Sequence, residues 1–264
     1  MREPELHGKT AVVTGGGRGI GRATCLALAR CGARVVVTAR NRDEIEAVRR
    51  EIQELGGVAE AIVCDVSLPE SVKHLADVAG HVDILINNAA IIQPIAPIVS
   101  LDFEEWRHNL AVNLDGVFLT CRYLLPGMIE RGWGRVVNLT AGSVKGNQTG
   151  WGAYSTAKGG VEVLTKILAR EVGGHGIRVN VVRPGIVDTG MQREIREADE
   201  ETFGRENRQR FRGYMERGLL RKPEDPAKLI LWLLSSDADD TNGEVLIIDD
   251  PDVAARIGLV PMGR

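Results

Sequence analysis

The chain has 264 residues, of which 44% are hydrophobic, only 4% are aromatic and 31 are glycine. This length and apolar content suit one globular domain, and abundant glycine with few aromatic residues disfavours an all-β sandwich. The formal net charge of −3, with acidic and basic residues interspersed, excludes the basic face typical of proteins that bind nucleic acid or anionic membranes. A small molecule is therefore the expected partner.

Short apolar segments alternate with helical patterns along the whole chain. The segments TAVVT, RVVVT, EAIVC, DILIN, RVVNL, IRVNVV and EVLII predict seven strands. Helices are predicted to begin at Ile20, Asp43, Pro69, Leu101, Tyr154 and Pro226. This alternation predicts an α/β fold: a three-layer, Rossmann-like, doubly wound parallel sheet forming a single domain over residues 1–264. Such sheets bind ligands at the carboxyl ends of their strands.

The chain lacks features of secreted and membrane-spanning proteins. Its N-terminal sequence MREPELHGKT is charged, and no run approaches the roughly 18 consecutive apolar residues of a membrane span. The cysteines at positions 25, 31, 64 and 121 form no CxxC pair and lie near no histidine cluster. We therefore expect a cytoplasmic protein with buried, reduced thiols and no metal site.

One segment, residues 190–222, interrupts the alternation of strands and helices. It is strongly charged with weak helical periodicity, and it directly follows the end of the sixth strand, where a ligand is expected. We predict that it forms a mobile lid over the substrate. A solvated helical insertion is the alternative.

A glycine-rich turn follows the first strand. Residues 14–21 read TGGGRGIG and lead into a helix, so the backbone can approach a pyrophosphate whose charge the helix amides hold. The spacing is GxxxGxG rather than GxGxxG. The residues predicted to bind a dinucleotide here are Gly15, Gly17, Arg18, Gly19, Ile20 and Gly21.

The end of the second strand indicates which dinucleotide binds. A site for NAD usually has an acidic side chain there for the ribose 2′-hydroxyl, but this chain has Ala39. Arg40 and Arg18 would instead hold a 2′-phosphate through charge-assisted hydrogen bonds. NADP(H) is therefore the predicted cofactor, with NAD(H) as the alternative. For Arg40, the competing interpretation is a solvated surface cation.

Tyr154 and Lys158 are four residues apart in a predicted helix, so they lie on one face. A tyrosine titrates at about pH 10 and exchanges protons poorly at neutral pH, but an adjacent ammonium group stabilises its phenolate. The pair predicts an acid–base centre at the start of this helix.

Together these motifs resemble those of the short-chain dehydrogenase/reductase family, and the resemblance covers nearly the whole chain. TGxxxGxG matches the family's cofactor loop, NNAA at 87–90 its NNAG motif, and YSTAK at 154–158 its YxxxK motif. The resemblance implies further cofactor contacts at Asp65 beside the adenine with Val66 next to it, at Asn88 and Ala89, at Tyr154 and Lys158, and at Pro184, Gly185, Val187 and Thr189 beside the nicotinamide amide.

The resemblance also implies a reaction, in which a hydride passes between C4 of NADP(H) and a ketone, diketone or 3-oxoacyl group, interconverting it with a secondary alcohol. Tyr154 would exchange the proton, Lys158 would lower the pKa of Tyr154 and bind the nicotinamide ribose, and Asn113 would hold a water of the proton relay. Gly150-Trp151 and PGIVDTGMQ are locally similar to sepiapterin and benzil reductases. A homodimer or homotetramer, formed through the helices around 106–131 and 154–172, is implied as well.

One position departs from the family pattern. The family serine that binds the substrate oxygen typically lies thirteen positions before the tyrosine, and that position holds Ala141. One hydrogen-bond donor to a developing oxyanion is worth roughly 3 kcal/mol. Three explanations are open: Thr140 or Ser143 serves instead, Ala141 is an introduced substitution, or the protein is a catalytically weak nucleotide-binding scaffold or sensor. We favour the first.

Overall fold

The computed structural model describes residues 4–145 and 148–262. Seven strands form one fully parallel sheet in the order β3-β2-β1-β4-β5-β6-β7. The strands are β1 (Thr10–Thr14), β2 (Arg34–Ala39), β3 (Val58–Val63), β4 (Ile84–Asn87), β5 (Gly134–Leu139), β6 (Ile177–Arg183) and β7 (Val245–Ile247). The single-domain α/β prediction is confirmed.

Helices cover both faces of this sheet, which is why its central strands are continuous apolar runs. Each predicted helix start lies within two residues of the observed one. Within the described residues the α-helices are α1 (Gly19–Arg30), α2 (Arg42–Glu54), α3 (Pro69–Ala79), α4 (Phe103–Leu110), α5 (Gly116–Arg131), α6 (Gly152–Val172), α7 (Gly190–Glu197), α8 (Glu200–Phe203), α9 (Arg205–Glu216), α10 (Glu224–Leu234) and α11 (Pro251–Arg256).

The strand order places a crevice above β1 and β4. Both strands are central, and the chain leaves them toward opposite edges of the sheet, which opens a cleft at their carboxyl ends. Two hydrogen bonds join the loops at this point: the backbone N–H of Asn88 donates to Thr14 Oγ1 at 3.0 Å, and Asn88 Nδ2 donates to the Thr14 carbonyl at 2.9 Å. The glycine-rich turn is thereby fixed against the loop after β4.

The predicted long helix from Leu101 is divided in two. Asp102 caps α4 by accepting hydrogen bonds from the N–H groups of Glu104 and Glu105 at 2.9 and 3.1 Å. A π-helical turn over Ala111–Asp115 then separates α4 from α5. Such wide turns are frequent at functional sites, and this one contains Asn113.

Residues 190–222 contain the helices α7, α8 and α9. Most of their side chains are solvated, which explains the charge, but Phe203 and Phe211 are buried. Their rings lie 5.9 and 5.4 Å from that of Trp151, just before α6. The insertion is therefore packed over the carboxyl ends of the strands.

The described part of the chain contains no helix with the length and apolarity needed to cross a membrane. All four cysteines are buried. Burial raises the pKa of the Cys121 thiol to about 12, so this side chain is a neutral thiol at physiological pH.

Candidate active site

A cavity of about 1030 Å³ opens at the carboxyl ends of the strands. Two predicted site residues, Gly21 and Asn113, do not line it. The predicted residues that do are Gly15, Gly17, Arg18, Gly19, Ile20, Arg40, Asp65, Val66, Asn88, Ala89, Thr140, Ser143, Tyr154, Lys158, Pro184, Gly185, Val187 and Thr189. Segments distant in sequence thus form one site.

The glycine-rich turn forms a cradle with no room for side chains. Gly15 has φ +63°, and a Cβ there would lie 2.9 Å from Ala89 Cα. A Cβ on Gly21 would lie 2.1 Å from the Gly15 carbonyl oxygen. Gly21 therefore has a packing role, because it lets α1 start directly beneath the turn, and its contact with a ligand stays a prediction. The N-terminus of α1 and the bare backbone of the turn suit a dinucleotide pyrophosphate.

Charged groups surround the end of β2. Arg18 and Arg40 are exposed and line the same cavity. Although partial burial opposes it, hydrogen bonds from Ser67 and the positive charges of Arg40 and His108 hold the pKa of Asp65 below its usual value. Asp65 is therefore an anion that accepts hydrogen bonds from Ser67 N–H and Oγ at 2.9 and 2.6 Å.

No sequence motif marks Glu44, which also lines the cavity. Glu44 lies in the first turn of α2, where acidic residues are common because they stabilise the helix N-terminus. A Cβ on Gly17 would lie 2.8 Å from Glu44 Cβ, so Gly17 is needed for the close approach of α2 to the turn.

Tyr154 and Lys158 lie in the first two turns of α6 and are 6% and 2% exposed. Lys158 Nζ donates a hydrogen bond to the Leu139 carbonyl at 3.0 Å and lies 5.8 Å from the centroid of the Tyr154 ring. Burial raises the pKa of Tyr154 above its ordinary value and lowers that of Lys158 to about 8.

Burial is thus the cause of the raised pKa of Tyr154, and the lowering of this pKa by Lys158 stays a prediction. The ammonium group is directed at the Leu139 carbonyl, and the phenol loses water without gaining an ion pair. Tyr154 is consequently a neutral phenol at physiological pH, with its proton available for donation.

The structure distinguishes the two hydroxyl groups that flank Ala141. Thr140 Oγ1 donates to Glu162 Oε1 at 2.9 Å, so its proton is already used. Ser143 Oγ is buried and has no hydrogen-bond partner among the residues described. Both residues line the cavity, as does Ala141. Of the two predicted substitutes for the family serine, Ser143 is the one with an uncommitted O–H.

Asn113 does not reach the cavity, because its side chain is fully buried in the π-helical turn. Its Nδ2 donates to the Ile91 carbonyl and to Asn109 Oδ1, both at 2.9 Å, while its Oδ1 accepts from the Ile91 N–H at 3.2 Å. Both side-chain N–H groups are thus occupied, and the predicted part of Asn113 in holding a relay water stays a prediction. Asn113 also positions Ile91, which lines the cavity.

The part of the cavity beyond Tyr154 has mainly apolar walls contributed by the insertion and by the loop after β4. The Trp151 and Tyr154 rings meet edge to face, with centroids 6.0 Å apart. No local pattern in the sequence connects these side chains, because they lie far apart along the chain. The lining residues here include Ile92, Trp151, Met191, Gln192, Ile195, Phe211 and Tyr214.

Comparison with known proteins agrees with this architecture. The family model for short chain dehydrogenases matches residues 9–200. A 3-oxoacyl-[acyl-carrier-protein] reductase from Pseudomonas aeruginosa is 36% identical, covering 92% of this chain and 97% of the relative. A cyclohexanol dehydrogenase from Acinetobacter sp. is 34% identical, covering 93% of this chain and 95% of the relative.

A solved structure is similar as well. A protein from Beutenbergia cavernae, described as an NAD(P)-dependent gluconate 5-dehydrogenase with bound NADP at low occupancy, superposes with a TM-score of 0.84 at 35% identity. The match covers 95% of this chain and 98% of that one. Sequence, sheet topology and site geometry thus agree, and the chain belongs to the short-chain dehydrogenase family of oxidoreductases, enzymes that act on CH–OH groups.

Proposed function

We propose that this protein is an NADP(H)-dependent oxidoreductase that interconverts a compact, largely apolar ketone with the corresponding secondary alcohol. The observation that carries this proposal is the buried Tyr154–Lys158 pair, which lines the same cavity as the uncommitted hydroxyl of Ser143 and the glycine-rich turn. A diketone or 3-oxoacyl group fits the same chemistry. The residues present fit a dinucleotide, because the glycine cradle and two cationic side chains face the cavity.

Three side chains carry out the proton chemistry. NADPH, when bound, supplies the hydride that adds to the carbonyl carbon. The Ser143 hydroxyl donates a hydrogen bond to the carbonyl oxygen, and Tyr154 transfers its phenolic proton to that oxygen as negative charge develops there. The Lys158 ammonium group then stabilises the tyrosinate that is left. The alcohol produced contains one added hydride and one added proton.

The scaffold alternative loses its main support. That interpretation rested on the missing donor at Ala141, and Ser143 provides one on the same cavity wall. The test is a screen of cyclic ketones, diketones and β-ketoacyl thioesters, following NADPH absorbance. Turnover of any of these supports the proposal; micromolar NADPH affinity without turnover of any of them contradicts it.

We propose that the insertion formed by α7–α9 is a lid over the substrate and that it belongs to the same single domain as the sheet. Its inward side chains, Phe211 and Ile195, face the cavity together with Trp151. Closure of these rings over the substrate would exclude water from the proton transfer.

For the cofactor, Arg40→Ala should weaken NADPH binding by about tenfold or more and leave NADH binding nearly unchanged, because only NADPH has a 2′-phosphate to pair with the guanidinium group. The bound NADP of the Beutenbergia cavernae protein supports this assignment. Calorimetry with both cofactors measures the effect. Arg42→Ala is the matched control, since Arg42 is exposed nearby but does not line the cavity. Equal affinity of the unaltered protein for both cofactors would refute the phosphate contact.

The pH dependence of kcat/KM for NADPH should follow the protonation of Lys158. Its pKa is lowered to about 8, so the ammonium form is present below that pH and is lost as the pH rises through it, while Tyr154 keeps its proton. The kcat/KM for NADPH, which reports groups of the free enzyme, should therefore fall above a pH of about 8. Lys158→Arg should abolish this fall, the alkaline limb of the pH profile, because a guanidinium group stays protonated. A profile that is flat to pH 9.5 would contradict the assignment.

The oligomer should form through α5 and α6. Phe118, Val163 and Ile167 on these helices are 48%, 60% and 49% exposed, which is unusual for large apolar side chains on adjacent helices. We expect a dimer or tetramer by light scattering at micromolar concentration, and a shift to smaller species in Val163→Arg. Val58→Arg is the matched control, because Val58 is also 60% exposed but lies in the edge strand β3. A monomeric unaltered protein would defeat this expectation.

A further inference from the structure

A partly buried ion pair joins α6, the catalytic helix, to β6 and is not used in the mechanism above. Glu162 is one turn beyond Lys158 on α6, and Arg183 is the last residue of β6, directly before Pro184. The guanidinium group contacts both carboxylate oxygens: Nε donates to Oε1 and Nη2 to Oε2, each at 2.7 Å. This two-pronged geometry is the strongest form of the arginine–carboxylate pair.

The same carboxylate is also bonded to the loop after β5. Thr140 Oγ1 donates to Glu162 Oε1, while Lys158 Nζ donates to the carbonyl of the preceding residue, Leu139. Lys158 and Glu162, one turn apart on α6, thus hold the consecutive residues Leu139 and Thr140 at the end of β5. With Arg183 added, the catalytic helix, the end of β5 and the end of β6 are joined through one carboxylate.

Arg183 is the cation that pairs with Glu162, which leaves the Lys158 ammonium group to donate to the Leu139 carbonyl. Residues four apart on a helix project from the same face, and the Lys158 and Glu162 side chains, both buried, bond to the consecutive residues Leu139 and Thr140. Without Arg183, the carboxylate would be a buried anion without its arginine partner, and Lys158, one turn away, is a cation that could pair with it. Attraction between the two would draw the ammonium group away from Leu139 and from Tyr154.

Other charged groups line the cavity from the neighbouring elements. They include Lys145, on the segment after β5, Arg210, on α9, and Asp249, after β7, and Arg183 itself also lines the cavity. Asp249 accepts a hydrogen bond from Arg221 Nε at 2.8 Å, and Lys145 is exposed. Within the described chain, Lys145 makes no hydrogen bond or ion pair with Glu162 or Arg183.

We propose that Arg183 and Glu162 are positioning residues: by neutralising Glu162, Arg183 keeps the Lys158 ammonium group directed at the Leu139 carbonyl and available to Tyr154. The pair also ties the segment that begins at Pro184, the predicted nicotinamide contact, to the helix that carries the proton donor. This inference rests on the proposed function, since it assigns Lys158 a part in catalysis.

The test is the position of the alkaline limb in the pH profile of kcat/KM for NADPH. Arg183→Gln leaves Glu162 unpaired beside Lys158, so the limb should move to higher pH by one unit or more, and kcat should fall at least tenfold with little change in the KM of the carbonyl substrate. Glu162→Gln leaves the Arg183 cation uncompensated, so the limb should move to lower pH. The double variant E162Q/R183Q removes both charges, and its limb should return to about the original position.

A loss of packing would not move the alkaline limb in opposite directions in the two single variants and restore it in the double variant. This pattern therefore identifies charge balance as the cause. The proposal would be overturned if both single variants kept the alkaline limb of the unaltered protein. It would also be overturned if the limb of the double variant lay no closer to the original pH than that of the more strongly shifted single variant. The Kd for NADPH measured against pH gives the same limb without turnover, and thermal unfolding identifies variants that do not fold. If the Kd for NADPH shows the opposite shifts in the single variants and their cancellation in the double variant, but the protein reduces no carbonyl, the proposed function fails while the charge balance stands.

Discussion

Tyr154→Phe is expected to lower kcat by between about a hundredfold and ten-thousandfold while leaving NADPH affinity nearly unchanged. The substitution removes the phenolic proton and nothing else of comparable importance. Phenylalanine fills the same buried position on α6 and keeps the edge-to-face contact with Trp151, whose ring centroid lies 6.0 Å away. The loss therefore measures proton transfer rather than packing.

Stopped-flow absorbance of NADPH measures the rate, and calorimetry measures cofactor affinity. Tyr123→Phe is the matched control, since Tyr123 lies in α5 away from the cavity lining and should retain the original rate. A Tyr154→Phe protein that keeps more than a tenth of the original kcat would show that another group donates the proton.

Ser143→Ala should cost roughly 3 kcal/mol of transition-state stabilisation, or about a hundredfold in kcat. The reason is that Ser143 Oγ is buried on the cavity wall without a protein partner, whereas Thr140 has already donated its proton to Glu162. Ala141→Ser should add little, because a donor is already present. Steady-state kinetics with the best substrate of the carbonyl screen provides the measurement.

Ser155→Ala is the control for this prediction. Ser155 Oγ is likewise buried without a partner in the described structure, but the residue does not line the cavity, so its removal should leave the rate nearly unchanged. If Ser143→Ala is silent and Ala141→Ser raises turnover a hundredfold, Ala141 is a lesion in the family site. If even Ala141→Ser gives no reductase activity while NADPH binds at micromolar concentration, the protein is a nucleotide-binding scaffold.

The fold could be predicted because its signals are local. Strands such as β1 and β2 are buried on both faces and are therefore continuous apolar runs, and the helices between them have a 3.6-residue periodicity. The edge strand β3 was misplaced by two residues at its start, since one of its faces is exposed and its apolar run is broken. The helices of residues 190–222 were obscured for the same reason, because few of their side chains are buried.

Sequence by itself determined the residue types of the site: the glycine-rich turn, the Tyr154–Lys158 spacing on one helix face and the absence of an acid at the end of β2. Tertiary structure decided which of these groups are free to act. A hydroxyl is a donor to substrate only if no nearer acceptor takes its proton, and the acceptor for Thr140 is Glu162, 22 positions away. The pKa values of Tyr154 and Lys158 likewise depend on water excluded by elements from the whole chain. Hydrogen-bond partners and burial are properties of the packed molecule, and no spacing along the chain specifies them.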